Sequence, residues 1–286
     1  MRLLNLDGRI ALERDGLAVD VERASDGAFS PKFQDAFDRW DDFRRWADVL
    51  NGVEGVAFDP ADLTAPVGDP RQIFAIGLNY RGHAEEAGVE IPDTPMVFTK
   101  FASSITGPYG AITMPQGSVD WEAELVAVIG RTAKGVAVEQ AWDYVAGLTA
   151  GQDLSERDLQ IKPPAPQQFS LAKSYPGFAP IGPALVTLDE FIDPGDLEIW
   201  CSVGDERVQA ARTRDMIFSV PAVVSYLSQI VTLLPGDLIF TGTPEGVGFT
   251  RTPQRYLRSH DELTTFIEGI GTMRHRMCGP QEQYSS

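Results

Sequence analysis

Beyond residue 70 the chain never sustains a long apolar stretch: short hydrophobic runs are cut repeatedly by glycine and proline, of which the sequence holds 27 and 20. A helix needs roughly ten or more uninterrupted residues with apolar positions every three or four, so this punctuation selects strands. Strands are expected over 73–77, 122–129, 183–187, 197–203, 206–212, 237–241 and 263–277, with Gly204-Asp205 as a hairpin turn. One later helix is expected from Ser219-Val220-Pro221 to Leu233, ended by Pro235-Gly236. A doubly wound α/β fold would need regular strand–helix alternation, which is missing. The expected class is α+β, mostly β.

The first 69 residues read as a small N-terminal lobe, and 70–286 as one larger, mostly β domain. Short strands over 1–29 are broken by turns at Asp7-Gly8 and Asp15-Gly16. A helix is expected to begin at Ser30-Pro31 and to stop at Asn51-Gly52. Its aromatic stripe, Phe33, Phe37, Trp40 and Phe43, has helical spacing and is read as core packing. The polar, proline-rich stretch from Asp59-Pro60 to Asp69-Pro70 marks the lobe boundary.

Charge narrows the partners. The 41 acidic residues against 24 Lys and Arg give a net charge of −17, which repels phosphate backbones and anionic lipid heads. No nucleic acid and no membrane are therefore expected as partners. Small anionic substrates stay open, because a bound metal reverses the sign of a pocket locally. Cys201 and Cys278 lie far apart, which fits neither a disulfide framework nor a zinc knuckle. The start Met1-Arg2-Leu3-Leu4-Asn5-Leu6-Asp7 lacks the apolar core of a secretion signal, so the chain reads as cytoplasmic and reduced.

Three segments carry candidate chemistry. In Asp120-Trp121-Glu122-Ala123-Glu124-Leu125, strand alternation turns Glu122 and Glu124 to one face. Two such carboxylates about 7 Å apart repel by about 2 kcal/mol at an effective dielectric near 20, and burial costs several more. A hard divalent cation between them answers that cost, although two solvated acids on an exposed edge would look the same in sequence. The apolar run Tyr144–Ala150 empties into Gly151-Gln152-Asp153, offering a third carboxylate at a strand end; alone, Asp153 reads as a turn or cap aspartate. In Tyr80-Arg81-Gly82-His83-Ala84-Glu85-Glu86, a short helix would bring His83 and Glu86 to one face and leave Glu85 elsewhere. That pair suits a general base, although alone an H-x-x-E is more often a surface helix ion pair, and Gly82 and Gly88 suggest a segment able to close over substrate. With three histidines in the chain, oxygen must dominate any metal site. No nucleophile elbow, Walker A, G-x-G-x-x-G, H-E-x-x-H or EF-hand pattern is present.

The succession GLNYRGHAEE, DWEAELVAVIG, GQDLSERDLQ, FSLAKS and LPGDLIFTGTPEGVG resembles the fumarylacetoacetate hydrolase superfamily, over roughly residues 70–277. The resemblance implies a mixed β-sandwich roll around a central cavity, in a homodimer. It implies that Glu122, Glu124 and Asp153 bind Mg²⁺ or Mn²⁺, with Ca²⁺ an alternative occupant in crystals. By the same resemblance His83 and Glu86 form a dyad that activates water or shuttles a proton. Lys173 with Arg157 and Gln160 would stabilise developing oxyanion charge, and Thr243 would contact substrate. Lys100 occupies a familiar position without an assigned role, and Arg157 and Lys173 have a structural alternative in pairing with an acid such as Asp158. The linker 161–168 varies among members and helps shape substrate access. The activity implied is hydrolysis of a C–C bond in a small anionic 2-oxo or β-dicarbonyl acid, of acylpyruvate or diketo-acid type, through a metal-stabilised enolate. The alternatives are a 2-hydroxyhepta-2,4-diene-1,7-dioate isomerase or a 2-oxo-diacid decarboxylase of the same family.

Overall fold

The strand Ala123–Ile129 is buried at every residue because its two faces enter two different cores. Ala123, Leu125, Ala127 and Ile129 join one apolar cluster, whereas Val126 and Val128 join another. A run that is hydrophobic at consecutive positions is what a strand covered on both faces requires. The computed structural model describes residues 1–50, 52–161 and 167–280.

This strand lies inside a ten-stranded sheet. Its neighbours are Val145–Gln152 on one side and Leu238–Phe240 on the other, both antiparallel to it. Beyond Leu238–Phe240 come Ile73–Gly77 and then Met96–Thr99 at the edge. Beyond Val145–Gln152 come Ala179–Val186, Arg2–Leu6, Arg9–Arg14 and Leu17–Asp20. A five-stranded sheet, ordered Glu206–Arg212, Glu198–Val203, Glu262–Ile267, Gly271–Cys278 and Tyr109–Thr113, supplies the other half of the first core. There Ile199, Cys201, Leu263 and Met273 belong to one cluster with Leu125 and Leu148. The second core is closed by the helices Phe33–Asp38 and Trp40–Val49, which lay Phe33, Phe37, Trp40 and Phe43 on the side of Val126, Val128 and Phe240. The molecule is thus a mixed α+β fold dominated by sheet. Among the described residues no helix is long and apolar enough to cross a membrane.

The turns at Asp7-Gly8 and Asp15-Gly16 have positive φ at both residues, the condition for a tight hairpin that follows strand twist. The hairpins they form do not stand apart: Arg2–Leu6 hydrogen-bonds to Ala179–Val186 across the boundary expected at residue 69.

Several elements differ from the sequence expectation. The helix expected at Ser30-Pro31 starts at Phe33 and breaks at Arg39, whose extended φ of −131° interrupts the ladder before Trp40 resumes it. The expected stop at Asn51 lies outside the described residues. The helix expected to reach Leu233 spans Val220–Ile230, because Val231 turns extended and Leu233 pairs with Ala133. Branched Val231 and Thr232 favour that switch. The single strand expected over 263–277 is a hairpin that turns at Gly269, where φ is +75°. The strand expected at 183–187 begins at Ala179, and its Pro183 falls where the pairing with Val145–Gln152 shifts register, a position that does not need the missing N–H.

His275, on the strand Gly271–Cys278, is buried, with Nε2 bonded to the Gly107 carbonyl at 2.9 Å. Burial pulls its pKa from 6.5 down to about 4, the Gly107 bond only partly opposing the shift. The folded state therefore holds a neutral imidazole that the unfolded chain protonates below about pH 6.5. Its contribution is complete above that pH and is lost as pH falls through about 4, to a total of about 3 kcal/mol. Denaturant unfolding of wild type and His275→Gln should show the stability difference shrinking between pH 7 and pH 4; a constant difference would contradict the buried neutral state.

Candidate active site

The register of two neighbouring strands builds the site. Gly151 faces Glu124 and Gln152 faces Ala123, so the next step places Asp153 opposite Glu122, with the Asp153 amide donating to the Glu122 carbonyl at 2.9 Å. Glu122 and Glu124 share a face by strand alternation. The result is three carboxylates, all buried, whose ligand atoms lie within 4.8 Å of one another.

Three cations meet them. The Lys173 ammonium donates to Glu122 Oε2 and Asp153 Oδ2, at 2.7 Å each, and to Ser155 Oγ. Lys100, fully buried, donates to Asp153 Oδ1 at 2.5 Å and to the Lys173 carbonyl. Arg157 donates to Glu122 Oε1 at 2.7 Å and, through Nε and Nη2, to Asp120 Oδ2. The structural alternative holds in part for Arg157, which pairs with Asp120 instead of Asp158 while also reaching Glu122, whereas Lys173 pairs with Glu122 and Asp153. Asp120 itself is saturated, accepting also from the amides of Trp121, Gly248 and Phe249.

These partners separate the acids. Burial would raise the Glu122 carboxyl, yet Lys173 and Arg157 overcome it and hold the pKa at about 2. Glu124 goes the other way, driven well above the usual carboxylate range by burial and by Asp153 and Glu122 beside it. Little offsets this: Oε2 accepts the Gly242 amide at 2.8 Å, and no Lys or Arg forms an ion pair with it among the described residues. The lysines also diverge. Burial lowers Lys100, whereas the two carboxylates on Lys173 outweigh burial and raise it. A hard divalent cation fits this donor set, since three converging oxygens include one, on Glu124, that no side-chain cation neutralises.

His83 and Glu86 stand on the helix Arg81–Ala87, with Nδ1 3.5 Å from Oε2 and side chains 13% and 25% exposed. That separation is an ion-pair distance, too long for a hydrogen bond. The Glu86 carboxylate accepts the Gly246 amide at 3.0 Å. Burial pushes its pKa up, but His83, the Gly246 amide and the Thr250 hydroxyl together bring it below the usual value. A Cβ on Gly82 would lie 2.3 Å from a Glu245 oxygen, and Gly88, at φ +66°, caps the helix.

A cavity of about 350 Å³ is lined by His83, Glu122, Arg157, Gln160, Lys173 and Thr243, with Met96, Phe98, Phe169 and Phe249 as apolar wall. Glu86, Glu124 and Asp153 are not among its lining residues. Gln160 accepts from Arg157 Nη1 at 2.8 Å, and Thr243 has its hydroxyl donating to the Ala123 carbonyl. Within the linker 161–168, Ile161 and Gln167 line the cavity; 162–166 lie outside the described residues. Sequence reasoning left Asp120 and Lys100 without roles. The same period-two alternation that pairs Glu122 with Glu124 extends back to Asp120 and would have found it; no local signal marks Lys100.

The fumarylacetoacetate (FAA) hydrolase C-terminal family model matches residues 72–278. The chain belongs to the fumarylacetoacetate hydrolase family. It is 42% identical over 215 residues to oxaloacetate tautomerase Fahd2a, mitochondrial, of Rattus norvegicus, covering 74% of this chain and 68% of that one. A crystal structure of a Mycobacterium smegmatis protein described as HpcE superposes with a TM-score of 0.94 at 50% identity, covering 98% and 100% of the two chains. The maleylpyruvate hydrolase of Sphingobium sp. SYK-6, solved with manganese(II) and pyruvate, superposes at 0.81 with 28% identity over 98% and 100%. The chain is a metal-binding enzyme of this family that acts on a small dicarbonyl or oxo-acid substrate.

The charge pattern predicts opposite behaviour for the two glutamates. Glu122→Gln strips a partner from Lys173 and Arg157 and should cost about 3–5 kcal/mol of stability, as breaking a buried pair does. Glu124→Gln removes a carboxylate crowded by like charges and should leave the metal-free protein as stable or more so. Mn²⁺ should raise the unfolding temperature of wild type, and both variants should lose that rise. Thermal unfolding with and without Mn²⁺ decides this, and equal destabilisation of the two metal-free variants would contradict the pairing.

Proposed function

We propose that this protein is a divalent-metal-dependent tautomerase or isomerase of small 2-oxo acids, with oxaloacetate the first substrate to test. The observation that carries the reading is His83, backed by Glu86, lining one cavity with Glu122, Arg157 and Lys173. The similarity to oxaloacetate tautomerases favours proton transfer over C–C hydrolysis as the chemistry of this cavity. Glu122, Glu124 and Asp153 would hold Mg²⁺ or Mn²⁺. When bound, the ion would supply Lewis-acid polarisation of the substrate's 2-oxo group.

The chain's own residues do the rest. Glu86 Oε2 lies 3.5 Å from Nδ1, leaving Nε2 of His83 to take a proton from the carbon next to the carbonyl and to deliver it to the enolate oxygen, or the reverse. Lys173 and Arg157 lie where negative charge would grow on the carbonyl oxygen. All three Lys173 N–H groups are committed to Glu122, Asp153 and Ser155, so it engages a substrate only by releasing one of them. Phe98, Phe169 and Phe249 thin the water around the reacting carbon.

Hydrolysis remains a second reading because the Sphingobium maleylpyruvate hydrolase shares the fold over nearly the whole chain. It would use the same dyad to activate water. With Mn²⁺ present, oxaloacetate should equilibrate between enol and keto forms, followed by ultraviolet absorbance, without stoichiometric pyruvate. His83→Ala should bind metal and unfold like wild type while losing roughly 10²–10⁴-fold in rate, the usual worth of a positioned base. Full turnover in that variant would remove the dyad from the mechanism, and pyruvate as the main product would point to decarboxylation.

A further inference from the structure

Away from the catalytic cavity, the loop from Arg251 to Arg258 and the side chain of Glu206 wall an open hollow of about 660 Å³. Its charged lining is three arginines, Arg251, Arg255 and Arg258, against that one glutamate. Such a balance stands out on a chain of net charge −17. The guanidinium groups of Arg251 and Arg255 rest over the Trp121 ring, 5.6 and 5.7 Å from its centroid. Arg251 is fixed further by the Val208 carbonyl at 2.9 Å. Both arginines share the Glu206 carboxylate, Arg251 Nη1 lying 3.4 Å from Oε1 and Arg255 Nη1 bonding Oε2. Glu206 follows the turn Gly204-Asp205 and its side chain is 55% exposed, so it can swing into water while the arginines stay. The nearby Glu156 is occupied by the amides of Ser118, Asp158 and Leu159 and does not compete for them.

We propose that this hollow is a second anion site, for a small molecule carrying a carboxylate or phosphate group. The ligand's oxygens replace those of Glu206 on Arg251 and Arg255, and exposed Arg258 faces the remaining negative charge. Glu206 acts as an internal stand-in, showing that the two guanidinium groups accept one carboxylate between them. The hollow also touches the catalytic machinery. Arg251 Nη2 reaches the Gly246 carbonyl at 3.2 Å, where Trp121 Nε1 donates at 3.1 Å, and the Gly246 amide holds Glu86. Gly246 has φ of +97°, and a Cβ there would lie 2.1 Å from the Val208 carbonyl oxygen.

Calorimetric titration with inorganic phosphate, and separately with succinate, tests the site in wild type, Glu206→Gln, Arg255→Gln and Glu122→Gln. Glu206→Gln removes the internal competitor and should tighten binding about fivefold, the upper range for an exposed pair. Arg255→Gln should weaken it about tenfold, equivalent to about 1.4 kcal/mol. Glu122→Gln, which disturbs the catalytic cavity, should leave binding unchanged. A response to phosphate alone or to succinate alone supports the site and names its head group. Wild type that binds neither anion, or Arg255→Gln that binds as wild type does, overturns the proposal. If Arg255→Gln does not fold, Glu206→Gln decides alone, and affinity no tighter than wild type overturns it.

Discussion

Four carboxylates, on Asp120, Glu122, Glu124 and Asp153, are taken out of water at the ends of two neighbouring strands. Each buried ion costs several kcal/mol unless opposite charge and hydrogen bonds meet it, so the surrounding fold has to deliver cations to that spot. It does so from three separate elements. Lys100 follows the edge strand Met96–Thr99, Arg157 opens the helix Arg157–Ile161, and Lys173 closes the helix Phe169–Ala172. Two elements too short to persist alone and one edge strand are therefore held in place by what their charged residues reach. Removing the acids would leave those cations unpaired and the segments without their main tether.

The count of charges explains why the cluster is poised and not simply satisfied. Three cations answer four acids, and the geometry assigns their contacts to Asp120, Glu122 and Asp153. Glu124 is left with a backbone amide. A protein that sought stability alone would place an apolar residue there, as Val126 and Val128 do further along the same face. The unmatched acid is instead a cost that a divalent ion held by these carboxylates would offset, in keeping with the tendency of functional sites to break local rules.

Much of this was legible in the sequence, and for reasons that differ by residue. Glu122 and Glu124 obey period-two alternation, so their common face followed from the strand alone. Asp153 needed a neighbouring strand in a particular register, which no local pattern encodes; the family resemblance supplied it. The aromatic stripe Phe33, Phe37, Trp40 and Phe43 announced a buried face, but not the break at Arg39, since both helical pieces keep their aromatics in one core. Lys100 was opaque because a lysine after an edge strand reads as solvated, and its burial depends on Asp153 and the Lys173 carbonyl, both remote in sequence. The hairpin at Gly269 was merged into one strand because apolar alternation continues across a turn that a single positive-φ glycine makes.

Gly246 sits where the helix bearing His83 and Glu86, the Trp121 indole and the strand Glu206–Arg212 converge, with no room for a single methyl group. It works as a spacing gauge: the distance between the helix bearing Glu86 and the smaller sheet equals the thickness of bare backbone. A substitution that adds even one carbon at this joint would have to lift the helix from its seat. Any engineering of a larger or differently shaped cavity would have to begin elsewhere, on the aromatic wall of Phe98, Phe169 and Phe249, where side chains rather than main chain set the dimensions.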